Sequence, residues 1–234
     1  MSDTPRYAIY FAPPAGSALA DFGTATLGYD ASRGAVAPLA QELEQQFPQW
    51  GHHVAEPARY GFHATMKAPF SLATGFEEAD LIEATAAVAG RLTPAVLGAL
   101  EVASMHRYVA LLPRDRKAGG KLGAEIVSAF EHLRAPLSEA ERSRRLETQL
   151  SARQVALLDR WGYPYVMDEF RFHMTLAGPL EPKLLASVCE ALQRLFPRDP
   201  DPVVIDAISI FKQMSRAQRF VAIGRFPLTG PATI

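Results

Sequence analysis

Two stretches of the chain alternate apolar and polar residues in the same way. In RYGFHATMKAPF (Arg59–Phe70), Phe62, Ala64, Met66 and Ala68 fall on one side of an extended chain, opposite Arg59, Gly61, His63, Thr65 and Lys67. In EFRFHMTLAGPL (Glu169–Leu180), Phe172, Met174, Leu176 and Gly178 lie opposite Arg171, His173 and Thr175. A period of two predicts a strand in each case, with one face in a core and the other presenting His, Thr and a cation. The stretches superimpose at Phe62/Phe172, His63/His173, Thr65/Thr175 and Pro69/Pro179. Their histidines are 110 positions apart, so only the fold can bring them together.

The elements around them repeat as well. After the first motif, FEEADLIEATAAVAGRL reads as a helix, acidic at its start and with Arg91 at its end. LGALEVASMHRYVALLP reads as two strands joined by a tight turn near Met105–Arg107. After the second motif, EPKLLASVCEALQRLF is the helix, with Pro182 in its first turn, and PVVIDAISIFKQ and QRFVAIGRFPL are the strands. The unit is motif strand, helix, strand, strand, present twice. Upstream, RYAIYFAPP is predicted as a strand, and PPAGSALADFGTATLGYDASRG as mostly loop. AVAPLAQELEQQF places Val36, Leu39, Leu43 and Phe47 at helical spacing, and His52 and His53 are expected in a solvent-facing loop.

Between the copies lies non-repeated material. AEIVSAFEHL is helical in pattern, and LSEAERSRRLETQLSARQVALLDRWG opens on Ser138 and Glu141 as a capping box. Its apolar stripe is Leu146, Leu150, Leu157 and Trp161, closed by Gly162. The expected fold class is α+β: two pseudo-symmetric lobes of antiparallel strands with flanking helices around a central cleft. The expected division is one two-lobed domain, 1–234, with lobe 1 over 1–122, a helical insertion over 123–162 and lobe 2 over 163–234.

Composition narrows the function classes. With 24 Lys+Arg against 25 Asp+Glu, no global basic field draws the protein to nucleic acid or an anionic membrane, so phosphate recognition has to be local. Cys189 is the single cysteine, which excludes an intrachain disulfide and suits a reducing compartment. No apolar run reaches membrane-spanning length, and the expected location is the cytoplasm.

Brought together across a cleft, His63 and His173 supply two imidazoles whose ordinary pKa lies near neutrality. Such a pair suits a reaction that takes a proton from one oxygen and gives one to another, as phosphodiester cleavage by in-line attack requires. Thr65 and Thr175 are placed to donate to non-bridging oxygens as charge builds on them, and Lys67 and Arg171 to add charge-assisted contacts to the phosphate.

These two His-x-Thr-hydrophobic motifs on duplicated lobes resemble the two-histidine (2H) phosphoesterase superfamily, which includes RNA 2′,5′-ligase-like enzymes and cyclic phosphodiesterases. Within it, RYAIYFAPP and the two motifs look like a subfamily associated with phosphonate-utilisation operons. The resemblance implies that His63 and His173 are the catalytic pair, that Thr65 and Thr175 bind phosphate, and that no metal or other cofactor is needed. It also implies a small, cyclic phosphodiester as substrate, in the setting of sugar phosphates from phosphonate breakdown. The insertion departs from the smaller RNA-processing members, so RNA is not the favoured partner.

Two other readings of the same residues stay open. A non-catalytic module would use the cleft to hold a nucleotide, an RNA end or a phosphorylated sugar. A metal site would have to pool His52, His53, His63 and His173, without a carboxylate near either motif histidine on its own face. Arg142, Arg144, Arg145 and Arg153 make the insertion locally basic, either as a solvated face or as a lid offering a cation to phosphate. Lys212 is a weaker candidate of the same kind.

Overall fold

The structure is a computed structural model that describes residues 4–197 and 201–231. In chain order its elements begin with β1 (Arg6–Phe11), α1 (Ala18–Leu27), β2 (Tyr29–Asp30), β3 (Ala35–Val36), α2 (Gln41–Gln46), α3 (Trp50–Ala58) and β4 (Ala64–Phe70). α4 (Glu78–Ala89), β5 (Ala95–Gly98), β6 (Leu100–Met105), β7 (Tyr108–Pro113) and α5 (Gly120–Ala129) follow. The remainder is α6 (Glu139–Leu146), α7 (Ala152–Trp161), β8 (Met174–Ala177), α8 (Pro182–Leu195), β9 (Val203–Ile205), β10 (Ala207–Gln213) and β11 (Val221–Pro227).

The fold is α+β. A four-stranded antiparallel sheet has the order β11–β10–β1–β4, and a three-stranded one the order β6–β7–β8. The duplication is visible in the element order, since β4-α4-β5-β6-β7 is repeated as β8-α8-β9-β10-β11. The copies exchange strands, however. The motif strand β8 of the second copy pairs with β7 of the first, and the hairpin β10–β11 of the second joins the sheet that holds β4. β5 and β9, one from each copy, also pair. Both sheets therefore take strands from either side of the expected boundaries at 122 and 163, and the expected ends at 1 and 234 lie outside the described residues.

One continuous core runs under both motifs. Phe62, Met66, Phe172, Met174 and Leu176 are buried, as the apolar phase of the alternation requires. Phe172 packs near Phe11 of β1, with ring centroids 6.0 Å apart, which ties the second motif to the first sheet. Full burial of such a ring stabilises by about 3 kcal/mol.

Four local expectations change. The stretch expected to be loop after β1 contains α1, whose N-cap Ser17 accepts from Ala20 N–H and whose C-cap Gly28 is left-handed. Gly23 is required there, because a Cβ would lie 2.0 Å from the Phe62 ring. The helix expected from Val36 is only α2; Val36 itself is exposed on β3, and Pro38 disfavours helical backbone at Ala37. His52 and His53 belong to α3, which is anchored by the buried Trp50 donating to the Thr26 carbonyl at 2.8 Å. The long insertion helix is two, α6 and α7, each started by a serine cap, at Ser138 and Ser151. The expected turn is present between Met105 and Tyr108, and α8 begins at Pro182 as expected.

Candidate active site

His63 and His173 face the same cleft. Its volume is about 600 Å³, and Thr65 and Thr175 line it beside them. The walls around the four residues are β4 and β8, one from each sheet, so the strand exchange is what sets the motifs opposite one another.

The histidines are held alike. His63 Nδ1 lies 2.8 Å from the Gly61 carbonyl, and His173 Nδ1 lies 2.8 Å from the Arg171 carbonyl, two residues earlier in each motif. A carbonyl can only accept, so each ring is fixed with its proton on Nδ1 and its lone pair on Nε2. Gly61 turns its carbonyl inward at φ +77, where a Cβ would also meet the Ala31 side chain at 2.5 Å. His63 Nε2 lies 3.2 Å from Thr65 Oγ1, so the hydroxyl donates to it.

Surroundings set the charge state. His63 stacks on Tyr10, centroids 3.8 Å apart at 22°, and Tyr10 is buried. Burial, against the pull of the Gly61 carbonyl and with a smaller push from a charge on His173, takes the pKa of His63 down to about 4. Burial lowers that of His173 as well. At neutral pH both rings are neutral, and because repulsion between them is mutual, a proton on one opposes a proton on the other.

Two expected phosphate ligands lie elsewhere. Lys67 is buried, and its Nζ donates to the Val127 carbonyl at 3.1 Å and to Glu131 at 2.9 Å. A bulge is responsible. Tyr10 pairs with Thr65 and Ile9 with Lys67, so two steps along β4 answer one along β1, and the alternation reverses. Lys67 is turned towards α5 while Ala68 takes the cleft side. Arg171 precedes β8; its guanidinium donates to the Asp168 and Phe170 carbonyls and is exposed. Lys212 pairs with Glu78 at 2.5 Å, beside Tyr7 rather than in the cleft.

Arg59, which the strand pattern put on the His63 face, does line the cleft, and so do cations that pattern did not single out. These are Arg6, Arg144, Arg145 and Arg216, with Tyr60 and Tyr163 between them. Arg6 had a legible signal, because it shares the face of β1 with Tyr10 four residues on. Of the basic insertion residues, Arg142 is taken by Asp159 at 2.7 Å and Arg153 by Asp168 at 2.6 Å, which leaves Arg144 and Arg145 for the cleft. Among the described residues, no three His, Cys, Asp or Glu side chains gather as a metal-binding group. No helix among them is long and apolar enough to cross a membrane.

Residues 65–221 match the family described as "Protein of unknown function (DUF1045)". The chain belongs to this family. The matched segment contains Thr65, His173 and Thr175, and begins two residues after His63. A curated relative from Janthinobacterium sp. (strain Marseille), named ribose 1,5-bisphosphate phosphokinase PhnN, is 35% identical over 235 residues, covering 96% of this chain and 51% of its own length. One of the same name from Laribacter hongkongensis (strain HLHK9) is 36% identical over 179 residues, covering 75% and 40%. The chain thus spans about half the length, or less, of the curated relatives it matches. Among solved structures, E. coli LigT complexed with NADP+ aligns over 97% of this chain and 99% of its own, at 15% identity and a TM-score of 0.40.

Proposed function

We propose that this protein is a two-histidine phosphoesterase that cleaves a small phosphodiester without a metal ion, a cyclic sugar phosphate being the favoured class. The observation that carries this reading is the paired geometry. Two imidazoles on one cleft are each locked by a backbone carbonyl with an unprotonated Nε2, that of His63 accepting from Thr65, and each has a threonine two residues on.

The asymmetry of the pair assigns the roles. His63, stacked on Tyr10 and held by burial with a pKa of about 4, is unprotonated at neutral pH and is the general base that takes a proton from the attacking water. His173 carries the proton that goes to the departing alkoxide. It gains that proton as the phosphate enters, because a bound anion favours the imidazolium. The water oxygen forms a bond to phosphorus as the opposite phosphorus–oxygen bond breaks; Thr175 donates to a non-bridging oxygen, and Thr65 does so once its hydroxyl turns from His63 Nε2 to the phosphate. One proton is taken up and one is delivered, so each turnover exchanges the states of the two rings, and solvent restores them.

The kinase named for the curated relatives needs a different reading. This chain has no Gly-x-x-x-x-Gly-Lys-Ser/Thr loop, and Gly120-Lys121 is followed by Leu122. We read the kinase activity in their name as belonging to the part of those relatives that this chain does not cover. The ribose phosphate in their name supports a small phosphorylated sugar here over RNA.

The test compares wild type, His63→Ala and His173→Ala in EDTA on 2′,3′-cyclic nucleotides, cyclic ribose phosphates and a p-nitrophenyl phosphodiester. Each variant is expected to lose at least about a hundredfold in kcat on the natural-type diesters. Nitrophenolate departs without a proton, so His173→Ala recovers most of its rate on that substrate and His63→Ala does not. Equal losses for both on the activated substrate refute the role assignment. Binding of these diesters without turnover in any protein favours a binding module, and activity abolished by EDTA refutes metal-free catalysis.

A further inference from the structure

The cleft carries more positive charge than one phosphodiester requires. Arg6, Arg59, Arg144, Arg145 and Arg216 converge on it from β1, the end of α3, α6 and the loop after β10. Only one of them is in an ion pair among the described residues, Arg216 with Glu141. The other carboxylate at the cleft, Glu56, accepts from Tyr108 at 3.1 Å. Like charges gathered in a half-enclosed site repel one another, and an anion between them relieves that repulsion.

Arg145 is the most telling member. Its guanidinium lies over the Tyr163 ring at 5.3 Å, and its Nε is buried without a hydrogen-bond partner among the described residues. A buried, unpaired guanidinium donor is costly to keep, and a bidentate oxyanion is the partner its fork fits. The wall is also braced. Gln213 accepts from Arg6, Glu141 ties α6 to Arg216, and Arg59 donates to the Arg216 carbonyl. These contacts aim the arginines before a ligand arrives.

We propose that this arginine wall is a second anion subsite, taking a terminal phosphomonoester carried by the same substrate whose diester is cleaved between His63 and His173. The substrate is then a phosphodiester with a separate terminal phosphate. Arg6 and Tyr10 are four residues apart on one face of β1, about 13 Å along the strand, and Tyr10 carries His63. With the reach of a guanidinium, that spacing suits one phosphorylated sugar or mononucleotide and is short for a longer chain. The proposal rests on the phosphodiesterase reading for the identity of the other group, but not for the existence of the anion subsite.

Two measurements separate these claims. The first is calorimetric binding of ribose 5-phosphate, with ribose as control, to wild type, His63→Ala, Arg145→Gln and Arg144→Gln. Wild type and His63→Ala are expected to bind ribose 5-phosphate alike, and each arginine variant roughly tenfold more weakly. Arg144 is exposed, so its variant keeps the test alive if Arg145→Gln does not fold. The second is the ratio of kcat/KM for adenosine 2′,3′-cyclic phosphate with and without a 5′-phosphate. It is expected to favour the phosphorylated form at least roughly tenfold in wild type and to collapse towards one in the arginine variants. A wild-type ratio near one, a preference that survives both substitutions, or binding lost in His63→Ala but kept in the arginine variants overturns the proposal. Arginine-dependent binding with no turnover of either nucleotide supports the subsite and instead refutes the phosphodiesterase reading.

Discussion

Lys67 separates what the sequence pattern expects from what the fold does with it. A lysine on the phosphate face gives a Lys67→Met protein of normal stability and raised KM. The structure leads to the reverse. Lys67 Nζ donates to the Val127 carbonyl and to Glu131, and its side chain is only 4% exposed. Methionine fills the same space but leaves the carbonyl without its donor, while Glu131 keeps Arg134 at 2.6 Å. Loss of a charged donor with one partner still satisfied is expected to cost about 2 kcal/mol. For a domain of this size that lowers Tm by about 4–8 °C. Glu131→Gln strips charge from a site that holds two cations, and is expected to cost more, about 3–5 kcal/mol. The double variant is expected to lose less than the sum, because the two changes remove one shared interaction. Thermal melts and KM for the best diester substrate read both quantities. A Lys67→Met protein that melts within a degree of wild type and shows a tenfold higher KM would refute the bulge argument and return Lys67 to the phosphate.

Three other outcomes are open to direct measurement. Because the folded pKa of His63 is about 4 against an ordinary 6.5, the unfolded chain binds the proton first as pH falls; stability is therefore lost from pH 6.5 down to about 4, by at most about 3 kcal/mol. Urea unfolding of His63→Gln across that range is expected to be flatter than wild type, and parallel curves would count against the burial of this ring. Gly23→Ala drives a methyl into the Phe62 ring, so it is expected to destabilise by about 1–3 kcal/mol and to lower kcat through the neighbouring His63; an unchanged melt and rate would show that Phe62 gives way freely. Phe172→Ala opens a cavity beneath His173 and is expected to cost about 3–5 kcal/mol in denaturant unfolding, and a loss under 1 kcal/mol would mean the Phe11–Phe172 contact is not what seats the second motif.

The parts legible in the chain were those with a period. Alternation gave both motif strands their buried faces, and the matched His and Thr positions did converge on one cleft. Local signals also located α4, α8 and the β6–β7 turn. The misplacements have separate physical origins. A one-residue bulge between Thr65 and Lys67 reverses sidedness and leaves no mark in a two-residue pattern. Arg171 shares the phase of His173, but β8 starts only at Met174, and its guanidinium turns back on nearby carbonyls. α1 is rich in Gly and Ala and reads as loop by propensity; Ser17 and Gly28 marked its ends, and Phe62 explains the glycine within it. The arginine wall gathers residues from four separate segments, and no local pattern joins Arg6 to Arg145.

The exchange of strands between copies explains why the site needs the whole chain. If each copy had folded on its own hairpin, His63 would sit with β6–β7 and His173 with β10–β11, each motif in its own lobe. Instead β4 lies beside β1 in the sheet that the second copy's hairpin completes, and β8 closes on β7 of the first. Neither half then contains a finished sheet around its own motif. The position of each histidine depends on strands distant along the chain, as Ile9–Ile210 and Ala110–Thr175 pairing fixes in the two sheets. Cutting the chain between the copies leaves each fragment with a motif strand lacking part of its native sheet. Recovery of activity should then require both fragments together, and a single fragment that turns over substrate would show that the copies remain independent units.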